Sequence, residues 1–257
     1  VGITPGITNI LAQLCVDRLD SVEQIDIDFA AFRSIAHSPG LLHVILWEFD
    51  PRTENRFYYE DGNLVPNPPF SGARTVHFPE PIGTQTTYYV PHGESQTLSK
   101  NVKGVKKVYI RGCFPPRAMD LVRTLYNYGI YTAEETAYIG NRIVPLEFIN
   151  HYLLSAPEGD QTEVWGYSVQ VEVIGTLRGY DVLYRFVTSH PPMNKWGGHR
   201  AYSKNVGIPL SIGAQMVAQG KAIKKGVDGI ETMLPAAEFV EELRKRDFVI
   251  NESLDYR

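Results

Sequence analysis

Apolar residues recur with helical spacing near the start of the chain, at Ile7, Ile10, Leu11 and Leu14. Two starts for this helix are open, because Thr4 can cap it with Pro5 at the first helical position, or Thr8 can cap it. The pattern predicts a turn that feeds a helix. Such a turn follows a buried strand in an α/β sheet, where helix amides favour anionic ligands, but simple punctuation by Pro and Gly is the competing interpretation.

Alternating apolar and acidic residues follow at 22–32, which predicts a half-buried strand. Asp26 and Asp28 occupy alternate polar positions of that strand, so we expect them on a solvated face and not as metal ligands. The apolar run at 41–49 follows Ser38-Pro39-Gly40, and the pattern favours a helix over a strand there.

Two hairpins are indicated by their turn residues and by strand alternation. Aromatic residues flank Asp61-Gly62 within 56–65, and a long hairpin is predicted from 163–173 and 180–188, joined by 175–179. The first long strand alternates apolar and polar residues, so one face is expected to be buried under helices or against another subunit. Its aromatic residues favour packing over stacking on a ligand.

The remaining patterns predict two strands, at 106–111 and at 248–250. They also predict a helix that starts at a proline and stops at Gly129, and connecting helices packed on the sheet over 132–154. Two further helices are predicted, one that opens at Gly207 and one at 236–246. Pro145 is placed at a helix start. Together these elements predict an α+β fold, with a mixed sheet flanked by helices.

Composition narrows the classes of partner. Among 257 residues, 43% are hydrophobic, and 25 basic and 29 acidic residues give a net charge of −4 without a long run of like charge. Nucleic acid and anionic membrane are therefore not expected partners, whereas small polar molecules are. No apolar run approaches the roughly 20 residues that span a bilayer, and no leader is recognised, so a soluble protein is expected.

The two cysteines, Cys15 and Cys113, form neither a C-x-x-C pair nor a set of metal ligands. Cysteines this sparse indicate a reducing compartment, and the cytoplasm is the expected location. No metal site is predicted.

His92 and Glu94 are the first pair of residues with clear chemical potential. They stand two positions apart at a predicted junction of strand and helix, where capping competes with catalysis or substrate binding as their role. Arg111 lies at the end of a predicted strand, and its guanidinium suits either a substrate carboxylate or a surface ion pair. Lys195 and Arg200 lie in an irregular basic stretch that suits an acidic substrate or a solvated loop.

Several segments occur here in an order that resembles one enzyme family. The segments are Gly2-Ile3-Thr4-Pro5-Gly6-Ile7-Thr8-Asn9, Phe78-Pro79-Glu80-Pro81-Ile82-Gly83, His92-Gly93-Glu94-Ser95-Gln96-Thr97-Leu98, Arg111-Gly112-Cys113-Phe114-Pro115 and the Gly220 to Glu231 stretch. This order resembles the saccharopine dehydrogenase-like oxidoreductases, including lysine 6-dehydrogenases, over nearly the whole chain.

The resemblance implies NAD or NADP as cofactor and hydride transfer at the amine or imine carbon of an amino-acid substrate, within lysine metabolism. It places His92, Glu94, Arg111, Lys195 and Arg200 at the substrate, with Arg111 on a carboxylate. It places Thr4, Pro5, Gly6 and Asn9 near the cofactor. Saccharopine reductases carry an aspartate where this chain has Thr4, and Arg111 stands one residue closer to Phe-Pro, so saccharopine itself is a less expected substrate.

The same resemblance divides the chain into a tail of the nucleotide-binding domain at 1–20, a substrate-binding and dimerisation domain at 21–205, and a return to the nucleotide-binding domain at 206–257. No strand followed by Gly-x-Gly-x-x-Gly is present, so the chain is expected to be a carboxyl-terminal portion, inactive alone and homodimeric. The alternatives are a stand-alone amino-acid-binding or regulatory module, and the substrate domain of an unrelated oxidoreductase, such as a sugar dehydrogenase.

Overall fold

A mixed β-sheet with helices packed against it forms the centre of the protein. The computed structural model describes residues 1–33, 38–155, 166–189, 191, 193–196 and 201–257. Its helices are α1 (Ile7–Val16), α2 (Pro39–Glu48), α3 (Glu94–Asn101), α4 (Pro116–Asn127), α5 (Pro145–Ser155), α6 (Met193–Trp196), α7 (Ala201–Ala218), α8 (Ile230–Met233) and α9 (Ala236–Arg244). Its strands are β1 (Ser21–Phe32), β2 (Phe57–Glu60), β3 (Asn63–Pro66), β4 (Arg74–His77), β5 (Thr84–Tyr89), β6 (Lys107–Cys113), β7 (Thr136–Tyr138), β8 (Asn141–Ile143), β9 (Gly166–Leu177), β10 (Tyr180–Ser189) and β11 (Val249–Tyr256).

The strand order in the described part of the large sheet is β11-β10-β9-β1-β6-β2-β3, and β5 also pairs with β6 and with β4. β1 and β6 are parallel, whereas β9 is antiparallel to both β1 and β10. Helix α1 packs on β9 and β1, and α3 packs on β6. This arrangement confirms the predicted α+β class.

The two faces of strand β1 differ in their chemistry. Side chains alternate along a strand, so Ile25, Ile27 and Phe29 share the face that the helices cover, and Asp26 and Asp28 lie on the opposite face. The prediction of a solvated face for the two aspartates was wrong, since they are only 6% and 0% exposed. Arginines from other elements cover them, and these partners are distant in sequence.

Both predicted hairpins are confirmed within the described residues, and residues 163–165 of the predicted long strand lie outside them. Asp61 and Gly62 turn β2 into β3 with φ angles of 45° and 87°, values that favour glycine and tolerate aspartate. β9 and β10 are joined by Arg178 and Gly179 alone, a shorter turn than predicted. β9 is buried on both faces through its first eight residues, so the expectation of one buried face was wrong. Its neighbours β1 and β10 and the packed side chains on each face account for this burial.

The predicted starts of two helices were also wrong. α1 begins at Ile7 after Gly6, whose amide donates to the Asn9 Oδ1 atom at 3.0 Å, so neither Thr4 nor Thr8 is the cap. The Thr8 hydroxyl donates instead to Glu94 Oε1 at 2.9 Å. α7 begins at Ala201, before Gly207.

The segment over 132–154 differs from the predicted connecting helices packed on the sheet. It contains the small hairpin of β7 and β8 followed by α5, which starts at Pro145 as predicted but has no fully buried residue. The described residues include no helix with the length and apolar composition needed to cross a membrane.

Candidate functional site

His92 lies on the helix-covered side of the sheet, between the end of β5 and the start of α3. Its ring stacks on Phe29 of β1, with ring centres 5.1 Å apart, and Phe29 stacks in turn on Tyr167 of β9 at 5.7 Å. The position between β5 and α3 confirms the junction of strand and helix predicted for His92 and Glu94. The ring stack fixes the orientation of the imidazole.

Two glutamates flank this imidazole. The Nε2 atom of His92 donates to Glu48 Oε1 at 3.2 Å, from the last residue of α2. The Nδ1 atom lies 3.9 Å from Glu94 Oε2, beyond hydrogen-bonding distance. We refer to Glu48, His92 and Glu94 as the His92 cluster.

Three buried atoms of the His92 cluster have no hydrogen-bond partner among the described residues: Glu48 Oε2, His92 Nδ1 and Glu94 Oε2. Buried polar atoms in native proteins are nearly always hydrogen-bonded, by protein, water or ligand. The gap between Nδ1 and Glu94 Oε2 is thus a place for a small hydrogen-bond donor.

Burial and charge act in opposite directions on the cluster. Burial alone lowers the pKa of His92, but its hydrogen bond to Glu48 and the negative charges of Glu48 and Glu94 outweigh burial, and the net pKa is raised. Burial raises the pKa of Glu94, and the charge of His92 and the hydrogen bond from Thr8 offset that only in part. The two shifts bring an imidazole and a carboxyl group that can each hold a proton side by side, which suits transfer of a proton.

The residues predicted to lie near a cofactor contact side chains that surround the His92 cluster. The Thr4 hydroxyl lies 2.6 Å from the Tyr167 hydroxyl, and Pro5 and Gly6 connect it to α1. Asn9 donates to Glu231 Oε2 at 3.0 Å and to Thr97 at 3.1 Å. Together with the bond from Thr8 to Glu94, these contacts join the loop, α3 and α8 around the His92 cluster.

Arg111 is not brought together with His92. It is the register partner of Asp28, it donates to Asp26 Oδ1 at 2.7 Å, and its guanidinium lies over the rings of Tyr89 and Tyr109. Because Asp26 and Asp28 lie on the sheet face opposite to Phe29, Arg111 also lies on that opposite face. Its predicted role on a substrate carboxylate stays a prediction, and it requires a ligand on that face.

Arg111 belongs to an ion cluster on that opposite face. The ion cluster consists of Asp26, Asp28, Arg74, Arg111, Glu172 and Arg185. Arg74 pairs with Asp28 at 2.9 Å and with Glu172, and Arg185 pairs with Glu172 at 2.7 Å. A cleft of about 550 Å³ lies beside Arg74 and Arg185. Each of the three guanidinium groups has a carboxylate partner, so a substrate carboxylate at this cleft would have to compete with those partners.

The other predicted basic residues lie elsewhere. Lys195 is exposed, and its ammonium lies 3.2 Å from Asp247 Oδ1. Arg200 lies outside the described residues, so its predicted role is not tested. Within the described part of the chain, no group of His, Cys, Asp and Glu side chains is arranged to hold a metal ion.

Two members of the site were not singled out by sequence reasoning. Glu48 ends an apolar helix, and the only signal was that it is the single charged side chain within 41–49. Tyr167 was assigned to packing, and it does pack on Phe29, but its hydroxyl also reaches Thr4. Both contacts depend on long-range pairing that the local pattern does not contain.

The buried aspartate of the ion cluster gives a prediction for stability. Burial raises the pKa of Asp28 to about 6, although Arg111 and Arg74 lower it. Between about pH 4 and pH 6 Asp28 thus binds more protons in the folded protein than in the unfolded chain, so its contribution to the free energy of unfolding falls as pH rises. We expect Asp28→Asn to reduce the decrease in the free energy of unfolding between about pH 4 and pH 6 by about 1–2 kcal/mol, as measured by urea denaturation. An unchanged slope in the variant would contradict the buried, protonatable state of Asp28.

Comparison with known proteins decides the family. The family model described as the saccharopine dehydrogenase C-terminal domain matches residues 2–249. The chain belongs to this family. The resemblance predicted from the ordered motifs is confirmed, and the match covers both the loop at Thr4 and the His92 cluster.

One curated relative and one solved structure show how far the similarity extends within the saccharopine dehydrogenase C-terminal domain family. Carboxyaminopropylagmatine dehydrogenase of Synechocystis is 26% identical over 239 residues, which are 91% of this chain and 59% of that protein. The chain thus spans about three fifths of that relative's length. The structure of saccharopine dehydrogenase (L-Glu forming) from Saccharomyces cerevisiae matches with a TM-score of 0.62 at 12% identity, covering 99% of this chain and 73% of that one, which shows a shared fold.

Proposed function

We propose that this chain is the substrate-binding portion of an NAD(P)-dependent oxidoreductase that acts on the amine or imine carbon of an amino-acid substrate. The observation that carries the proposal is the set of three unpartnered buried atoms in the His92 cluster, Glu48 Oε2, His92 Nδ1 and Glu94 Oε2. An amine has N–H donors for the carboxylate oxygens and for the Nδ1 atom of a neutral imidazole, and a protonated amine adds the charge that buried carboxylates favour.

Family membership supports the same reaction class. The curated relative is named a dehydrogenase, and its printed name describes a substrate with carboxyl and amino groups. A cluster with two carboxylates matches the amino group of such a molecule. The predicted contact of a substrate carboxylate with Lys195 or Arg200 belongs to the proposal as well, whereas Arg111, on the opposite face of the sheet, is left out of it.

The residues of the His92 cluster have distinct roles in this proposal. Glu94 binds the substrate nitrogen and orients the adjacent carbon, and Glu48 holds the imidazole through its Nε2 atom. His92 takes up or returns the proton at that nitrogen, because its Nδ1 atom lies beside Glu94 Oε2 and its raised pKa makes the imidazole a stronger base. The stack on Phe29 keeps the imidazole in place.

NAD or NADP, when bound, supplies or accepts the hydride at the carbon attached to the nitrogen. This chain contains no strand followed by Gly-x-Gly-x-x-Gly, so none of its residues is assigned to the cofactor pyrophosphate. Thr4, Pro5, Gly6 and Asn9 belong to the proposal as residues near the cofactor, as the resemblance implies. Thr4 contacts Tyr167, and Thr8 at the start of α1 contacts Glu94, so this segment adjoins the proposed substrate site.

The proposal includes the division of the chain at residues 20 and 205 and a homodimer. In the structure, β11 of the last segment pairs with β10 of the middle segment. The register runs from Val249 opposite Ser189 to Tyr256 opposite Val182. The final residues therefore extend the sheet of the substrate-binding part.

The test is a panel of amines and amino acids with the full-length protein. The panel contains lysine, saccharopine and carboxyaminopropylagmatine, each with NAD and with NADP, and turnover is measured by the absorbance of the reduced nicotinamide. The proposal predicts cofactor-dependent oxidation of at least one amine. Calorimetric titration of the same ligands without cofactor measures binding separately.

The two methods distinguish the alternatives. Tight binding of an amino acid without turnover by either cofactor would favour a stand-alone amino-acid-binding or regulatory module. Turnover only with a substrate that has no amine or imine nitrogen, such as a sugar, would overturn the proposed reaction class and favour the substrate domain of an unrelated oxidoreductase.

A further inference from the structure

A buried arginine contacts the backbone of the His92 cluster and has no role in the function proposed above. Arg56 precedes β2 and is 3% exposed. Its Nη1 atom donates to the Tyr89 carbonyl oxygen at 2.9 Å, and its Nη2 atom donates to the Glu48 carbonyl oxygen. The planar fork of a guanidinium group can donate to two acceptors at fixed spacing, as it does here.

The two acceptors belong to the elements that carry the cluster. Glu48 is the last residue of α2, and helix carbonyls at this end have no partner within the helix and carry partial negative charge. Tyr89 is the last residue of β5, three positions before His92. Arg56 thus connects the end of α2 to the end of β5, and the side chains of Glu48 and His92 extend from those two ends.

Resting on the function proposed above, we propose that Arg56 is a positioning residue that holds the carboxylate of Glu48 against the imidazole of His92. The contact that it maintains is the 3.2 Å hydrogen bond between Glu48 Oε1 and His92 Nε2. Arg56 acts through the two backbone carbonyls and needs no contact with the substrate.

The charged groups that face His92 are Glu48 on α2, Glu94 on α3 and Arg56 itself. Burial lowers the pKa of Arg56 to about 10, so the guanidinium stays charged at neutral pH. Its charge alone lowers the pKa of His92, whereas the Glu48 hydrogen bond that it positions raises that pKa. The two effects of Arg56 on His92 therefore have opposite signs, which makes them separable by experiment.

The test measures the pKa of His92 by NMR titration of the full-length protein, with the signal assigned from its absence in His92→Gln. Arg56→Lys keeps the charge but loses the fork, so the His92 pKa is expected to fall by about half a unit or more. Arg56→Gln loses charge and fork: a role through charge alone predicts a rise in the His92 pKa, whereas the positioning role predicts a smaller rise or a fall, because its loss opposes the loss of charge.

A double-mutant cycle tests the route through Glu48. In a Glu48→Gln background, Arg56→Lys is expected to leave the His92 pKa unchanged, because the positioned carboxylate is already gone. Arg52→Lys is the matched control, since Arg52 lies nearby in sequence but is 43% exposed at its side chain and pairs with Asp50. This control is expected to leave the titration as in the unmodified protein.

Three results would overturn the proposal. The first is an unchanged His92 pKa in folded Arg56→Lys. The second is an equal shift of the His92 pKa on Arg56→Lys in the unmodified protein and in the Glu48→Gln background. The third is failure of both Arg56 variants to fold, which would make Arg56 a requirement of the whole fold. The titration uses neither substrate nor cofactor. A failure here therefore leaves the proposed reaction standing, and absence of turnover in the substrate panel leaves the positioning role standing.

Discussion

Replacing Glu94 with Gln is expected to lower kcat/KM of the full-length enzyme for its amine substrate by about 100-fold or more, because one partner of a buried charge pair is lost. Gln has nearly the same shape and can keep the acceptor for the Thr8 hydroxyl. The side chain at position 94 is fully buried, so removing its charge also removes a desolvation cost. We therefore expect the free energy of unfolding to change by less than about 1 kcal/mol.

Glu172→Gln is the matched control, since Glu172 is also a buried carboxylate but lies on the opposite face of the sheet. Both of its oxygens accept from arginines, Arg74 and Arg185. This variant is expected to lose about 2 kcal/mol of stability and to keep its KM. Equal losses of activity in the two variants, or full activity in Glu94→Gln, would contradict the assignment of the site.

Gly112→Ala is expected to destabilise the protein by about 3 kcal/mol, because there is no room for a side chain under Phe29. A Cβ atom at Gly112 would lie 2.1 Å from the Phe29 Cζ atom. The ring would have to move out of its stack with His92 and Tyr167. Urea denaturation measures the loss, and the activity of the folded fraction is expected to fall as the imidazole loses its support.

Two further variants control this experiment. Gly207→Ala places a methyl group in open space on α7 and is expected to be neutral or slightly stabilising. Phe29→Leu provides the second control, since a smaller side chain leaves room for the methyl group added at position 112, and the double variant is expected to be more stable than the sum of the single effects predicts. Simple additivity would mean that the contact between Gly112 and Phe29 is not the source of the loss.

Local signals in the sequence were sufficient for much of the fold. Asp61-Gly62 and Arg178-Gly179 determine their own turns through positive φ angles, so both hairpins follow from residues adjacent in sequence. His92 was placed correctly between a strand and a helix for the same reason. The order of short motifs, more than any one of them, indicated the family that the comparison with known proteins confirmed.

Contacts between distant segments were not predictable in this way. Asp28 was expected in solvent because its alternation is local, whereas its partners Arg74 and Thr87 come from a hairpin more than forty residues later. Glu48 joins His92 through a contact across 44 residues, and no local pattern specifies it. Arg111 was grouped with His92 by motif alone, but the period of two along a strand separates them onto opposite faces of the sheet.

A crystal structure of the full-length protein with its amine substrate tests the central claim most directly. The account predicts that the substrate nitrogen lies within hydrogen-bonding distance of Glu94 Oε2, with His92 Nδ1 beside it. A substrate bound on the opposite face of the sheet, with its nitrogen beside Asp26 and its carboxylate on Arg111, would contradict the account and assign the site to the ion cluster.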